Sequence, residues 1–293
     1  MSILLKRSIV FALGRGGARG FAHLGVLRVL EREKIHIARI VGTSMGAIVG
    51  AMYAQSGSIE KVISDFQQYL TQNRSEPSVH NDKKNKKGDS QRWFDTLATR
   101  FRDQVLLGKE SRKTHLDPED MIFALEILLR EQPIEETLIP FAAVATDVLT
   151  GEEVILKSGS ITSAVTASSA LPGVLPPVEY QGKLLIDGAA TSSVPVRAAK
   201  KLIKHKKIIA SDVSADLSET PRLDNAVDIV MRNSRITSKY YRDELVKEAD
   251  VLIQPRVGNF HWSHFDHFQE FIRQGEEAAE KKLSAIRRAA RWL

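Results

Sequence analysis

Ser44 stands at the centre of Gly42-Thr43-Ser44-Met45-Gly46, a G-x-S-x-G pentapeptide. Where such a run joins a strand to a helix, the turn is tight and the helix must approach the strand closely. Glycine is therefore needed on both sides of the serine, whose hydroxyl is left exposed above the sheet in a strained conformation. A helix N-terminus also favours negative charge on that oxygen. The chemistry this setting suits is nucleophilic attack on an acyl carbon. The pentapeptide alone is a weak signal, but its context is the expected one. Arg39 to Thr43 reads as a short strand, and Met45, Ile48, Val49 and Met52 follow at helical spacing.

A second glycine cluster, Gly14-Arg15-Gly16-Gly17-Ala18-Arg19-Gly20, follows the apolar run Ser8 to Leu13 and opens a helical pattern. A dinucleotide fingerprint would need G-x-G-x-x-G and an acid about 20 residues on. Counted from Gly14 the last position is Arg19, and Ile37 to Val41 contains no acid. A nucleotide P-loop would need lysine after its last glycine, and Gly20 is followed by Phe21. The remaining reading is an anion-stabilising loop, whose backbone N–H groups face a tetrahedral intermediate formed at a neighbouring strand end. Ser44 supplies the nucleophile that this reading requires.

Asp187-Gly188-Ala189 closes the apolar segment Leu184-Leu185-Ile186. Taken alone, an aspartate beside a glycine at a strand end shapes a turn as readily as it takes a proton. A serine hydrolase with a conventional triad would place a histidine after the acid. His205, His261, His264 and His267 do follow it. His205 lies in a lysine-rich stretch, and the other three surround Trp262 and Phe265, where aromatic packing accounts for them. His23 and His36 are too far apart for a local metal pair. No H-E-x-x-H motif, carboxylate cluster or calcium loop is present, so neither a metal nor a cofactor is implied.

These three motifs in this order, with Ser168-Ser169-Ala170-Leu171-Pro172-Gly173 before the aspartate, resemble the patatin-like phospholipase family. The chain looks like its small bacterial members related to neuropathy target esterase. The similarity runs over about residues 8–210. It implies a serine–aspartate dyad in which Asp187 is the general base for Ser44. N–H groups of Gly16, Gly17 and Ala18 would form the oxyanion hole, with Gly14, Arg19, Gly20, Gly42, Gly46, Gly188 and Ala189 as motif positions. Arg19 is expected to be structural. The substrate implied is a lipid ester, of the phospholipid or lysophospholipid kind. One departure is visible: the family's loop commonly has glycine where Arg15 stands, which should alter the rim of the hole more than the hole itself. Acyl transfer to an alcohol and thioester hydrolysis remain alternatives on the same acyl-enzyme, as does a non-catalytic lipid-binding role. Met45, Ile48, Val49, Met52, Leu171, Pro172, Val174 and Leu175 suit an acyl channel and a plain core equally.

The elements that must position these residues read as an α/β fold, a mainly parallel central sheet flanked by helices in a three-layer sandwich. Strands are expected at residues 8–13, 39–43, 141–146, 153–156, 184–186, 207–213 and 251–253. Helices are expected from Ala18 to about Lys34, from Met45, from near Asp117, and over 196–204, 225–247 and 265–291. The whole of 1–293 reads as a single domain with a charged insert at 73–92. Trp93, Leu97, Phe101 and Val105, interleaved with Arg92, Arg100 and Arg102, form a basic amphipathic helix over 92–105. It either packs on the body or makes a peripheral membrane contact.

Forty-two Lys and Arg against 36 Asp and Glu give a net charge of +6, and there is no cysteine, which removes disulfides and thiolate metal sites. The lysine clusters at Lys83 to Lys87 and Lys200 to Lys207 carry no nucleic-acid-binding signature, so nucleic acid is not expected. No signal peptide is evident, and no apolar run approaches the roughly 18 residues of a spanning helix. The expectation is a cytoplasmic protein, in part at the membrane surface.

Overall fold

A computed structural model describes residues 8–72, 118–217, 223–258, 260 and 264–291. The charged insert at 73–92, the amphipathic segment at 92–105, the lysines at 83–87 and His261 lie outside the described residues.

The sheet grows from β1 (Ser8–Leu13), whose six residues are all buried. A strand covered on both faces needs apolar residues at every position, and Ile9 to Leu13 supply them. β1 pairs in parallel with β2 (His36–Thr43) on one side and β7 (Ile208–Ser211) on the other. β2 pairs in parallel with β3 (Phe141–Asp147), and β7 with β8 (Val251–Ile253). β4 (Glu153–Leu156) and β6 (Lys183–Asp187) both run antiparallel to β3, and β5 (Val178–Tyr180) antiparallel to β6. The centre is thus parallel, as expected, with an antiparallel group at one side.

The register on β3 decides where the site forms. Ala143 and Val144 face both β2 and β4, so those two strands lie on opposite edges of β3. Ala145 and Thr146 face both β4 and β6, so β6 also lies opposite β4. β2 and β6 therefore share one edge. β2 ends at Thr43 opposite Val144, and β6 ends at Asp187 opposite Ala145. The two strands meet end to end, and the residues just past each meeting end are brought together.

Alternation along the strands splits the core into two layers. Ile9, Phe11 and Leu13 face a large cluster containing Ile40, Phe141 and residues of α1 (Ala22–Arg32), α2 (Met45–Ser56) and α3 (Ile59–Gln72). Val10 and Ala12 face Val196, Ala198 and Ala199 of α7 (Val196–Leu202). The long α8 (Ala226–Val246) reaches this second layer through Val246. Two further helices, α4 (Pro118–Leu128) and α5 (Ile161–Ser168), border the antiparallel side, with the short α6 (Ala189–Ser192) following Asp187.

The C-terminal helix α9 (Phe268–Arg291) crosses α1 at a pair of glycines. A Cβ at Gly25 would lie 1.9 Å from the Ile272 carbonyl oxygen, and one at Gly275 would lie 1.9 Å from that of Ala22. Both helices must lack a side chain there for their backbones to touch. Phe21 then stacks edge-on against Phe268 at 4.7 Å and Phe66 at 5.2 Å, an arrangement that suits ring quadrupoles.

The helix expected from Ala18 opens as a 3-10 turn, Gly17–Phe21, before becoming α1. β2 begins three residues earlier than its apolar core suggests. α3, α5, α6 and β5 are not among the elements read from the sequence; α6 has four residues and β5 three. No helix among the described residues is long and apolar enough to cross a membrane.

Candidate active site

Ser44 occupies the turn between β2 and α2 with φ 57° and ψ −127°, a positive φ that is rare for a residue with a side chain. The turn is compressed from behind. A Cβ at Gly46 would lie 2.4 Å from the Leu13 carbonyl oxygen and 2.7 Å from that of Gly14, so the first turn of α2 rests against the end of β1. Ser44 is half-buried while its neighbours are buried. Its backbone N–H donates to Ser168 Oγ at 3.1 Å, and that hydroxyl donates to the Val144 carbonyl at 2.6 Å.

Asp187 ends β6 and is almost fully buried. Its carboxylate accepts from the Ala189 N–H at 2.8 Å, and the Ser44 hydroxyl lies close enough to act on it. Burial pushes this carboxyl above its ordinary range, and the Ala189 N–H, the Ser44 hydroxyl and the positive charge of Arg15 each pull it back. The structure thus brings the serine and aspartate motifs together, where β2 and β6 meet on β3. Among the described residues, no histidine is one of the groups acting on Asp187. His205 is exposed, and His264 and His267 pack with Phe260 in a ring cluster, with His267 also against Phe271.

One segment grips both turns. Ser168 Oγ takes the Ser44 N–H, the Ser168 carbonyl takes the Gly188 N–H at 3.4 Å, and the Ala170 carbonyl takes the Asp187 N–H at 2.9 Å. Gly188 fits because a Cβ there would meet the Val144 carbonyl oxygen at 2.2 Å. Thr43 Oγ1 adds a bond to the Ser192 carbonyl at 2.8 Å, tying β2 to α6.

The glycine loop runs from β1 into the 3-10 turn, with Gly17 at φ 57°. The Gly14 and Arg15 N–H groups are taken by the Ser211 and Ser193 carbonyls, each at 2.9 Å. Gly17 and Ala18 begin the turn, so no carbonyl within it accepts their N–H groups. Arg19 Nε donates to the Gly16 carbonyl at 3.2 Å and Nη1 to the Phe260 carbonyl at 3.4 Å. In a trans peptide the Gly17 N–H then points away from Arg19. Arg19 therefore sits behind the loop as a brace.

Three contributors are not legible as such in the sequence. His23 is wholly buried; its Nε2–H donates to the Gly14 carbonyl at 2.8 Å and its Nδ1 accepts from Ser211 Oγ at 2.9 Å in the matching tautomer. Burial lowers its pKa to about 4, so the ring is neutral at physiological pH. A polar residue on the apolar face of α1 was the available signal. Ser168 falls in a stretch that carries the resemblance but no stated role. Arg15 was visible only as a departure from the common loop. The proposed acyl-channel residues Met45, Ile48, Val49, Met52, Val174 and Leu175 are buried in the main core, with Leu171 packed against it and Pro172 exposed. Of the second lysine cluster, Lys200, Lys201 and Lys207 each pair with a carboxylate. Among the described residues no group of His, Asp and Glu could hold a metal ion.

Relatives share sequence with much of this chain. An uncharacterized NTE family protein of Mycobacterium tuberculosis is 32% identical, over 64% of this chain and 44% of that one. Lysophospholipase NTE1 of Scheffersomyces stipitis is 26% identical, over 97% of this chain and 18% of that one. The chain thus spans less than half the length of these relatives. Among solved structures, VipD from Legionella pneumophila matches with a TM-score of 0.47 and 14% identity, covering 96% of this chain and 67% of that one. A family model for the patatin-like phospholipases matches residues 11–200, from within β1 through the serine and aspartate motifs into α7. The chain belongs to the patatin-like phospholipase family.

Proposed function

We propose that the chain is a serine acyl-ester hydrolase that cleaves phospholipid or lysophospholipid esters with Ser44 as nucleophile and Asp187 as base. The observation that carries this reading is a serine held at positive φ beside a buried carboxylate at the facing strand end, close enough for its hydroxyl to act on that carboxylate. An aspartate at its ordinary pKa is a weak base at neutral pH. Burial raises the basicity of Asp187 and supports its use in proton transfer.

Ser44 Oγ attacks the ester carbonyl carbon as its proton passes to Asp187, and the carbonyl electron pair moves onto oxygen. N–H groups of Gly16, Gly17 and Ala18 stabilise that oxyanion. Its collapse expels the alcohol, which takes the proton from Asp187 and leaves an acyl-Ser44 ester. Water then gives a proton to Asp187 and adds to the acyl carbon. The second collapse releases the fatty acid, and the proton returns to Ser44. Arg19, His23 and Ser168 touch none of the reacting atoms in this scheme; they hold the backbone that does.

Incubation with a fluorophosphonate probe tests the assignment. Stoichiometric labelling at Ser44, lost in Ser44→Ala and strongly slowed in Asp187→Asn, is expected. Folded wild-type protein that takes no label would overturn it and favour a lipid-binding role. Product analysis with an added alcohol or thioester separates hydrolysis from the transferase and thioesterase alternatives.

A further inference from the structure

Arg15 and Arg19 stand four positions apart in one loop and are used differently. Arg19 spends its donors on two backbone carbonyls. Arg15 gives Nη2 to the neutral hydroxyl of Ser238 on α8, at 3.0 Å, and its buried Nε has no hydrogen-bond partner among the described residues. Structural arginines usually saturate the fork against carboxylates or carbonyls, so an orphaned buried Nε marks a donor awaiting an acceptor. Nearby polar groups share the deficit. Ser193, whose carbonyl takes the Arg15 N–H, is buried with its own Oγ unpartnered, and so is Oγ of Ser214, one residue past the Val213 that packs against Gly16.

The charges around Arg15 are those of Asp187, Arg242, Asp212 and Arg235. Asp212 is already engaged by Arg242 at 3.4 Å and by the Ser214 N–H at 3.0 Å. Arg242 is further held by Asp243 at 2.8 Å. What remains beside the proposed dyad is a guanidinium whose Nε is unpartnered, a second arginine on the exposed side of α8, and the carboxylate of Asp187. Such a guanidinium matches a phosphate, whose oxygens accept the paired N–H bonds of the fork. In a glycerophospholipid the phosphate lies only a few bonds from the scissile carbonyl, which suits a charge placed close to Asp187.

We propose that Arg15, tethered by Ser238 and backed by the hydroxyls of Ser193 and Ser214, is the phosphate subsite that makes this chain select phosphate-bearing acyl esters over neutral ones. This inference rests on the acyl-hydrolase reading for its catalytic form but not for its binding form. The test compares kcat/KM for oleoyl lysophosphatidic acid and for monooleoylglycerol, which share an acyl chain and differ in the phosphate. Wild type should favour the phosphate ester by about tenfold or more; Arg15→Gln should bring the ratio near one, and Arg15→Lys should leave it between, because a point charge lacks the fork. An unchanged ratio in Arg15→Gln, including a parallel fall on both esters, would overturn the proposal, since loss of loop support or of base strength affects both substrates alike.

Calorimetric titration of Ser44→Ala protein supplies the arm that needs no turnover. Glycerol 3-phosphate should bind, and the binding should be lost in the Ser44→Ala, Arg15→Gln double variant. Persistence of binding in the double variant, or tighter binding of inorganic phosphate than of glycerol 3-phosphate, would count against a headgroup site. Wild type that hydrolyses neither ester and takes no fluorophosphonate would sink the hydrolase reading, while the titration still decides the subsite.

Discussion

The two turns that meet on β3 are held by opposite means. The Ser44 turn carries its tension in the backbone: a positive φ on a residue with a side chain, with the first turn of α2 pressed against β1. The Asp187 turn is relaxed, with Gly188 at φ −63° and ψ −11°, and its tension lies in solvation, since a carboxylate is buried there. A nucleophile must be exposed and aimed, which geometry can do. The proposed carboxylate base needs its pKa raised, which burial does. Strain and desolvation are therefore separable here, and substitutions can relieve one without the other.

On the proposed mechanism the largest effect should come from removing either reacting group. Ser44→Ala and Asp187→Asn are each expected to lower kcat by about 10³-fold or more on a lipid ester. Their stabilities should diverge from their activities. Because the folded state raises the Asp187 pKa, the native protein binds this proton more readily than the unfolded chain, and stability falls as pH rises from the ordinary value of 3.8 through the folded one. Asp187→Asn should thus be at least as stable as wild type at neutral pH, and the advantage should fade as the pH falls toward 4. Denaturant melts at several pH values measure it; a marked destabilisation at pH 7 would break the contrast.

His23 should show the next largest effect, with the same sense of pH dependence as an ordinary paired carboxylate. Its pKa falls from 6.5 in the unfolded chain to about 4 in the fold, so the unfolded state binds more protons between those values. Stability should decline as pH drops from about 6.5 toward 4, by roughly 3 kcal/mol if no other group compensates. A His23→Ala protein should lose this component of the pH dependence, and a lower baseline stability should accompany it.

Ser168→Ala removes the shared support beneath both turns. It is expected to destabilise by about 1–3 kcal/mol, the range for orphaning a buried hydrogen-bond partner. Activity should fall with little change in KM, because the loss is in alignment of Ser44 rather than in substrate contact. The smallest effect concerns backbone strain alone. Ser44→Gly should be more stable than Ser44→Ala by about 1 kcal/mol or more, since glycine accepts positive φ freely. Equal melting temperatures would show that the Ser44 turn is not strained.

How much of this was legible before the fold was known depends on the distance over which each feature acts. The elbow around Ser44 is local: strand, tight turn and helix are written in consecutive residues, and the structure places them so. The central parallel order followed from the same alternation of short apolar runs and helical spacing. Asp187 could be read from its neighbours only as a turn, because its partner lies on another strand. Its proposed role came through the resemblance of the three motifs taken together. Ser168, 124 residues from the backbone it supports, and His23, 188 residues from Ser211, carry no local mark of their function. The antiparallel group was half hidden because β5 is too short to show a period. Arg15 was noticed for what it replaces, and its unpartnered Nε became visible only in the fold.

The family match stops at residue 200, yet the hydrogen bonds that close the outer side of β1 come from Ile208–Ser211, and the helix crossing α1 begins at Phe268. A fragment trimmed to the matched region would leave Val10 to Leu13 with an open ladder and α1 with a bare apolar flank. An unsealed, flat, apolar edge is a template for another chain. Expression boundaries for this protein should therefore be drawn past α9; a shorter piece is expected to polymerise or precipitate.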